Sequence, residues 1–355
     1  MGNLLGNYVL NLAKLLGGGN VLRPLVAVYH VTAFCNLNCR YCEDYGAVRN
    51  VAAAQPLSLP DAQRVLEIVR QGTDRIIFTG GEPLLYPHID ALLAHAHDAL
   101  AFRSVTLLTN GLLLPDHERA LAHVDRLIVS LDSVEPDVWD QTLRSGVGTA
   151  ARILDAVAAA AGRQRALGVR IVVNCVLAPE TLDQVDGVID FCQRHGLALS
   201  ISPCAQNNWP RYELLVSEPY RALLRRLEDL KRNGFPLLVS RPTLRVLAHF
   251  EPFKCYPTLF PQVFHDGTLA YPCRPIQKSG TTHGGLCNLL EAGSWRRAMA
   301  QAVGDFDVPP LVCTSCFQQC YVEPSLMQAR PLALLWELAR YPTCRQAELV
   351  TYAPG

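Results

Sequence analysis

Neither sign of charge is in excess: 32 Lys and Arg balance 32 Asp and Glu over 355 residues. Without surplus cations there is no counterion release to hold a phosphate backbone, so non-specific nucleic-acid binding is excluded. Long hydrophobic runs are missing too; none approaches the ~18 residues that span a bilayer. Residues 1–20 lack a basic segment and a small-residue cleavage site, so no secretory leader is expected. Charged residues are sparse at 18% against 50% apolar, which excludes disorder and provides for a sizeable core. Cysteine breaks this pattern. Its 13 copies are too many to be incidental and too few for a disulfide scaffold in so long a chain. They point to a reducing, cytoplasmic compartment in which thiols stay free or bind metal.

From residue 25 to 204, short apolar runs alternate with longer amphipathic stretches. Strands are expected at 25–32, 75–79, 104–109, 126–131, 169–177 and 197–203. Most are continuous Val/Ile/Leu runs, as parallel strands covered on both faces require. Helical patterns at 60–71, 87–99, 149–166 and 180–194 separate them. The series implies a parallel α/β sheet, doubly wound or a partial barrel. After residue 235 the character changes to Pro, Gly, Cys and aromatic residues, followed by a cysteine-dense loop at 313–320 and a helical pattern at 331–340.

The most informative string is Cys35-Asn-Leu-Asn-Cys39-Arg-Tyr-Cys42, directly after the first expected strand. Parallel α/β folds place active sites at the carboxyl ends of their strands. Three thiolates this close can wrap one face of a cubane 4Fe–4S cluster and leave the fourth iron without a protein ligand. Structural zinc prefers four ligands, usually as paired CxxC units, and stays open as the alternative.

The CxxxCxxC string, with Tyr41 before its last cysteine, resembles the signature of the radical S-adenosylmethionine (SAM) superfamily. Three further segments support the resemblance: Gly80-Gly81-Glu82-Pro83, Thr109-Asn110-Gly111 and Ser130-Leu131-Asp132-Ser133, each after a successive strand. The resemblance covers about residues 25–204 and implies a partial (β/α)6 TIM-like barrel carrying a small C-terminal cysteine-rich domain. The expected division is 1–23 for an N-terminal helix and linker, 24–234 for the barrel and 235–355 for the extension.

The resemblance also implies roles. Cys35, Cys39 and Cys42 hold a 4Fe–4S cluster whose open iron takes SAM. Gly80 and Gly81 let backbone approach the methionine moiety, and Glu82 offers an acceptor near its amino group. Tyr41, Asn110, Ser130 and Asp132 are further cofactor contacts, the last three suited to the ribose hydroxyls and carboxylate. Arg144 pairs with the carboxylate, and Asn174 faces the adenosine. The chemistry implied is reductive cleavage of SAM to a 5′-deoxyadenosyl radical that abstracts hydrogen, with electrons from a partner such as flavodoxin or ferredoxin.

Seven cysteines lie beyond residue 250: Cys255, Cys273, Cys287, Cys313, Cys316, Cys320 and Cys344. Asp266-Gly267 reads as a hairpin turn that brings Cys255 and Cys273 near each other. With the Cys313–Cys316 pair they resemble the auxiliary-cluster extensions of radical SAM enzymes, the twitch and SPASM domains. Two departures stand out: five residues separate Gly267 from Cys273, and the tail is CxxCxxxC. One auxiliary 4Fe–4S cluster on Cys255, Cys273, Cys313 and Cys316 is expected, with Cys320 as the replacement ligand. A second cluster using Cys344 and a structural zinc are the alternatives. Cys175, Cys192 and Cys204 read as buried thiols, and Cys204, after the sixth strand, also as a hydrogen donor.

Residues 3–16 form an amphipathic helix whose Leu4, Leu5, Tyr8, Val9, Leu12, Leu15 and Leu16 share one arc. It either caps the barrel or packs on the second domain, or it touches a membrane surface weakly. The expectation is therefore a radical SAM enzyme acting on a small or hydrophobic metabolite, cytoplasmic or peripheral to the membrane, its auxiliary cluster aiding oxidation or bond formation. The alternatives are a peptide-modifying maturase and a non-enzymatic metal-binding protein.

Overall fold

The computed structural model describes residues 2–46, 55–206, 209–274, 287–305 and 316–341. Its centre is six parallel strands: β1 (Ala27–Thr32), β2 (Arg75–Gly80), β3 (Ser104–Thr109), β4 (Arg126–Ser130), β5 (Arg170–Leu177) and β6 (Ala198–Pro203). They lie side by side in chain order, which is barrel winding; a doubly wound sheet would reverse its order partway. The β1 residues are all buried, as helices on one side and the barrel interior on the other demand.

The crossover helices start and stop where local chemistry directs. Between β1 and β2, α1 (Leu4–Leu16) having gone before, α2 (Leu59–Gly72) begins at Ser58, whose hydroxyl accepts from the Asp61 N–H, with Pro60 in its first turn. α3 (Ile89–Ala94) precedes β3, α4 (Pro136–Leu143) and α5 (Thr149–Leu167) connect β4 to β5, and α6 (Val185–His195) leads into β6.

A short separate hairpin, β7 (Ala205–Gln206) with β8 (Trp209–Pro210), follows β6. Past the expected boundary at 234–235 the main sheet continues. On the opposite edge, β9 (Gln262–Val263) pairs parallel to β1, β10 (Thr268–Ala270) pairs antiparallel to β9, and β11 (Cys287–Asn288) extends β10. The turn between β9 and β10 is the expected Asp266-Gly267. One core runs from Val28 and Ile77 through Leu199 to Leu269 and Met327, so barrel and extension share it.

The helix Gln319–Ala329 replaces part of the loop expected at 313–320. Every residue from Gln319 to Gln328 is buried. A helix buried on all sides has no apolar stripe to read, and Pro324 inside it masks it further. Its Glu323 carboxylate accepts from the Ser240 N–H at 3.0 Å, and burial pushes its pKa from 4.5 up to about 7. The folded protein therefore binds this proton more readily than the unfolded chain does. Stability contributed through Glu323 is greatest below 4.5 and falls as pH rises through about 7. Thermal unfolding should report a melting temperature that drops across that window, and Glu323→Gln should flatten the drop while keeping the Ser240 hydrogen bond.

Candidate active site

The ends of β1 to β5 that carry the singled-out residues open into one cavity. The loop after β1 supplies Cys35, Cys39, Tyr41 and Cys42; β2 supplies Gly80 and Gly81; β3, Asn110; β4, Ser130; and β5, Asn174. This convergence follows from parallel winding, which puts every carboxyl end at the same rim.

The cysteine loop is held from three sides. The Gly81 and Glu82 N–H groups donate to the Thr32 and Phe34 carbonyls at 2.9 and 2.7 Å. A Cβ on Gly80 would come within 2.3 Å of the Thr32 oxygen, and one on Gly81 within 2.2 Å of the Phe34 oxygen. The two glycines are needed because the backbone entering the cysteine loop crosses them, whatever else they approach. From α4, the Thr142 and Leu143 carbonyls accept from the Arg40 and Asn38 N–H groups. From β3, the Asn110 side chain donates to Asn36 Oδ1 at 2.7 Å.

The carboxylates brace this frame from behind the cavity wall. Glu82 is fully buried; it accepts from the Thr109 hydroxyl (2.8 Å), the Asn110 N–H (2.8 Å) and the Leu84 N–H (3.0 Å). It joins the ends of β2 and β3. Burial raises its pKa against those three donors. Asp132 accepts from the Tyr41 hydroxyl and from the Val176 N–H, and burial pushes its pKa up to about 6. Neither carboxylate is among the cavity-lining groups; through these hydrogen bonds each holds strand ends and the cysteine loop together.

Arg144 stands apart from the cavity. It caps α4 in the left-handed conformation (φ 49°) and is exposed, so its guanidinium is not part of the cavity wall. Instead Arg274, next to Cys273, lines the cavity, pairs with Asp44 and stacks on Tyr45 with 5.4 Å between guanidinium and ring centroid. Its adjacency to a cysteine was the one signal in the sequence. His30 was missed as well. Its ring lies between Gln262 Oε1 (2.9 Å) and the Tyr45 hydroxyl (3.0 Å), and the Gln262 amide reaches on to the Tyr321 hydroxyl (2.9 Å). A hydrogen-bonded chain thus leads from the cavity to the helix Gln319–Ala329.

The donor set tests which groups fit. Burial pushes the Cys35 thiol up to about 11 and raises Cys39 also, with the neighbouring cysteines adding to both shifts. A cationic centre would reverse that cost by replacing the protons. Among the described residues, no three of these sulfurs lie within 4.8 Å of one another. A single tetrahedral zinc at ~2.3 Å from each sulfur would hold them about 3.8 Å apart. The wider spread suits the corners of a cubane. Asn174 Oδ1 is buried, faces the cavity and has no hydrogen-bond partner there, a ready acceptor for a ligand's N–H.

A second group assembles around the helix Gln319–Ala329. Cys316 and Cys320 are fully buried; burial raises both thiols, and Cys273 adds to each shift, with Cys255 adding at Cys316. Arg274 acts the other way on Cys320, so one guanidinium adjoins both cysteine groups. Cys313 and Cys344 lie outside the described residues. Cys287 is buried in β11 with its sulfur towards Gln301. Cys175 and Cys192 are buried in β5 and α6, whereas Cys204 lines a side lobe with Ser202 and Gln318.

Residues 29–192 match the radical SAM superfamily model. A GTP 3′,8-cyclase of Mycobacterium sp. (strain KMS) is 35% identical over 205 residues, 55% of this chain and 57% of the relative. The chain thus spans little more than half the length of the curated relatives it matches. The SAM-bound structure of SuiB from Streptococcus suis superposes with a TM-score of 0.60 at 20% identity, covering 86% of this chain and 71% of that one. SuiB bound to its precursor peptide SuiA gives 0.56, also at 20% identity, covering 78% and 66%. These two are likenesses of fold.

Proposed function

We propose that this chain, whose residues 29–192 match the radical SAM superfamily model, is an enzyme that uses a 4Fe–4S cluster and SAM, cleaves SAM reductively and abstracts hydrogen from a small or hydrophobic metabolite. The observation that carries this reading is the single cavity shared by Cys35, Cys39, Cys42, Gly80, Gly81, Ser130 and the unpartnered acceptor of Asn174. Cluster and SAM together supply a 5′-deoxyadenosyl radical when reduced, and the protein's part is binding, orientation and exclusion of water. Cys35, Cys39 and Cys42 hold the cluster. Ser130 and Asn110 present polar groups to the ribose and carboxylate, and Asn174 accepts from the adenine amine. Glu82 and Asp132 keep the loop and strand ends in register. Arg274, a cation on the cavity wall, orients an acidic or polar group of the ligand that fills it.

Cys255, Cys273, Cys316 and Cys320 would hold the auxiliary cluster, with Cys313 the alternative fourth ligand. Their spread beyond a single ion's shell favours a cubane over zinc. Such a cluster supplies an acceptor for an electron left on the oxidised substrate. A ferredoxin or flavodoxin is the reductant that fits the chemistry. The likeness to peptide-bound SuiB supports a peptide substrate as the second reading.

Anaerobic reconstitution followed by assay for 5′-deoxyadenosine under dithionite tests the enzyme reading; no product would favour a metal-binding protein without catalysis. Offering a metabolite extract and a peptide library in separate arms, and asking which quickens SAM consumption, separates the two substrates. Asn174→Ala should weaken SAM binding about tenfold, the worth of one buried hydrogen bond, with iron content unchanged. Equal affinity would remove the adenine assignment.

A further inference from the structure

Helix α1 is docked by its polar residues. Asn7 and Asn11 are buried: Asn7 Nδ2 donates to the Pro24 and Gly72 carbonyls (2.7 and 2.8 Å), and Asn11 exchanges hydrogen bonds with the Arg23 backbone (2.7 and 2.9 Å). One edge of the apolar arc, Leu4, Tyr8 and Leu15, packs on Leu22, Leu25, Tyr256 and Leu259. At ~100° per residue, Leu5, Val9, Leu12 and Leu16 form a second stripe farther round. It faces outward, with Leu5 73% and Leu16 91% exposed. A helix that only capped the barrel would turn that stripe inward and its asparagines to water.

A second apolar surface is tied to the first. The Tyr8 hydroxyl donates to the Met327 carbonyl at 3.0 Å, and the Gln328 amide donates to the Tyr8 carbonyl at 3.2 Å. The helix so gripped passes at Arg330 into the helix Pro331–Arg340. There Leu332 and Leu335 are 81% and 61% exposed, with Trp336 half-exposed beside them.

The charges decide between occupants. Helix α1 has no acidic residue, and its one cation, Lys14, is exposed. In Pro331–Arg340 the sole acid, Glu337, is buried, while Arg330 and Arg340 are exposed. The exposed charges of these helices are all positive. A second copy docking by the same face would set cation against cation. An anionic phospholipid surface complements both the charge and the apolar side chains.

We propose that α1 and the helix Pro331–Arg340 form a peripheral docking surface for anionic phospholipid bilayers. The contact lies on the membrane: among the described residues, no helix is long and apolar enough to cross one. It does not depend on the radical chemistry, and it would place the barrel where apolar substrates concentrate.

The test is co-sedimentation of the reconstituted full chain with vesicles of phosphatidylcholine alone and with added phosphatidylglycerol. Binding to the phosphatidylglycerol vesicles, weakened by salt, is expected. A variant combining Leu5→Glu, Val9→Glu and Leu16→Glu should lose about tenfold or more in partitioning, with melting temperature and iron content kept. Separate replacement of Leu332 and Leu335 by Glu should also reduce binding. Wild-type protein left in the supernatant with both vesicles would overturn the proposal. So would undiminished sedimentation of the triple variant, or a dimer that the triple substitution dissolves.

Discussion

Alanine at any one of Cys35, Cys39 or Cys42 is expected to abolish 5′-deoxyadenosine formation and to remove about four irons per chain, one cubane's worth. The expectation rests on placement and cost together. The three sulfurs line one cavity, and the burial of Cys35 and partial burial of Cys39 make their thiols resist ionisation. Iron repays that cost only while all three act on one cluster; with two left, one face of the cubane lacks a ligand. Cys192→Ala is the control. It lies buried in α6, away from the cavity, and should lower the melting temperature through lost packing while keeping iron and product. Iron and sulfide counting beside chromatographic assay of 5′-deoxyadenosine decides the matter. Full product from any of the three variants would sink the assignment.

The second large effect is expected from the C-terminal thiols. Cys316→Ala combined with Cys320→Ala should lower iron by about four per chain while 5′-deoxyadenosine still forms. The first cluster and the SAM site draw on none of these residues. Both sulfurs are fully buried, near Cys273, with the Arg274 guanidinium beside Cys320 to favour negative charge. Cys313→Ala alone then identifies the fourth ligand, since unchanged iron leaves that place to Cys320. If the double variant keeps all its iron, this group is not a cluster site. If it loses SAM cleavage as well, the two sites are not separate.

Legibility followed sequence range. The strand runs were readable because parallel strands covered on both faces must be apolar throughout, and β1 to β6 fall within a few residues of their expected limits. The cysteine spacing was readable because a loop of eight residues sets its own reach. The placement of Arg144 was not legible, for the opposite reason. The left-handed end of α4 leaves its side chain exposed, while the main chain just before it, at Thr142 and Leu143, holds the cysteine loop. Glu82 and Asp132 were legible as polar residues at strand ends, but the donors that surround each carboxylate were not.

Alone, the chain of letters determined the parallel α/β class, the triple-thiol loop, the turn at Asp266-Gly267 and the crowding of cysteines near the carboxyl end. Each is local, settled by alternation, spacing or backbone preference over a few residues. Tertiary structure alone decided that β9 pairs with β1, that Arg274 meets Asp44 across the cavity and that His30 reaches Tyr321 through Gln262. It also decided that α1 buries asparagines and turns leucines outward. A helical wheel shows which residues share a face. Which face is buried depends on the carbonyls of Arg23, Pro24 and Gly72 that accept from the two asparagine amides, and only folding brings those within reach.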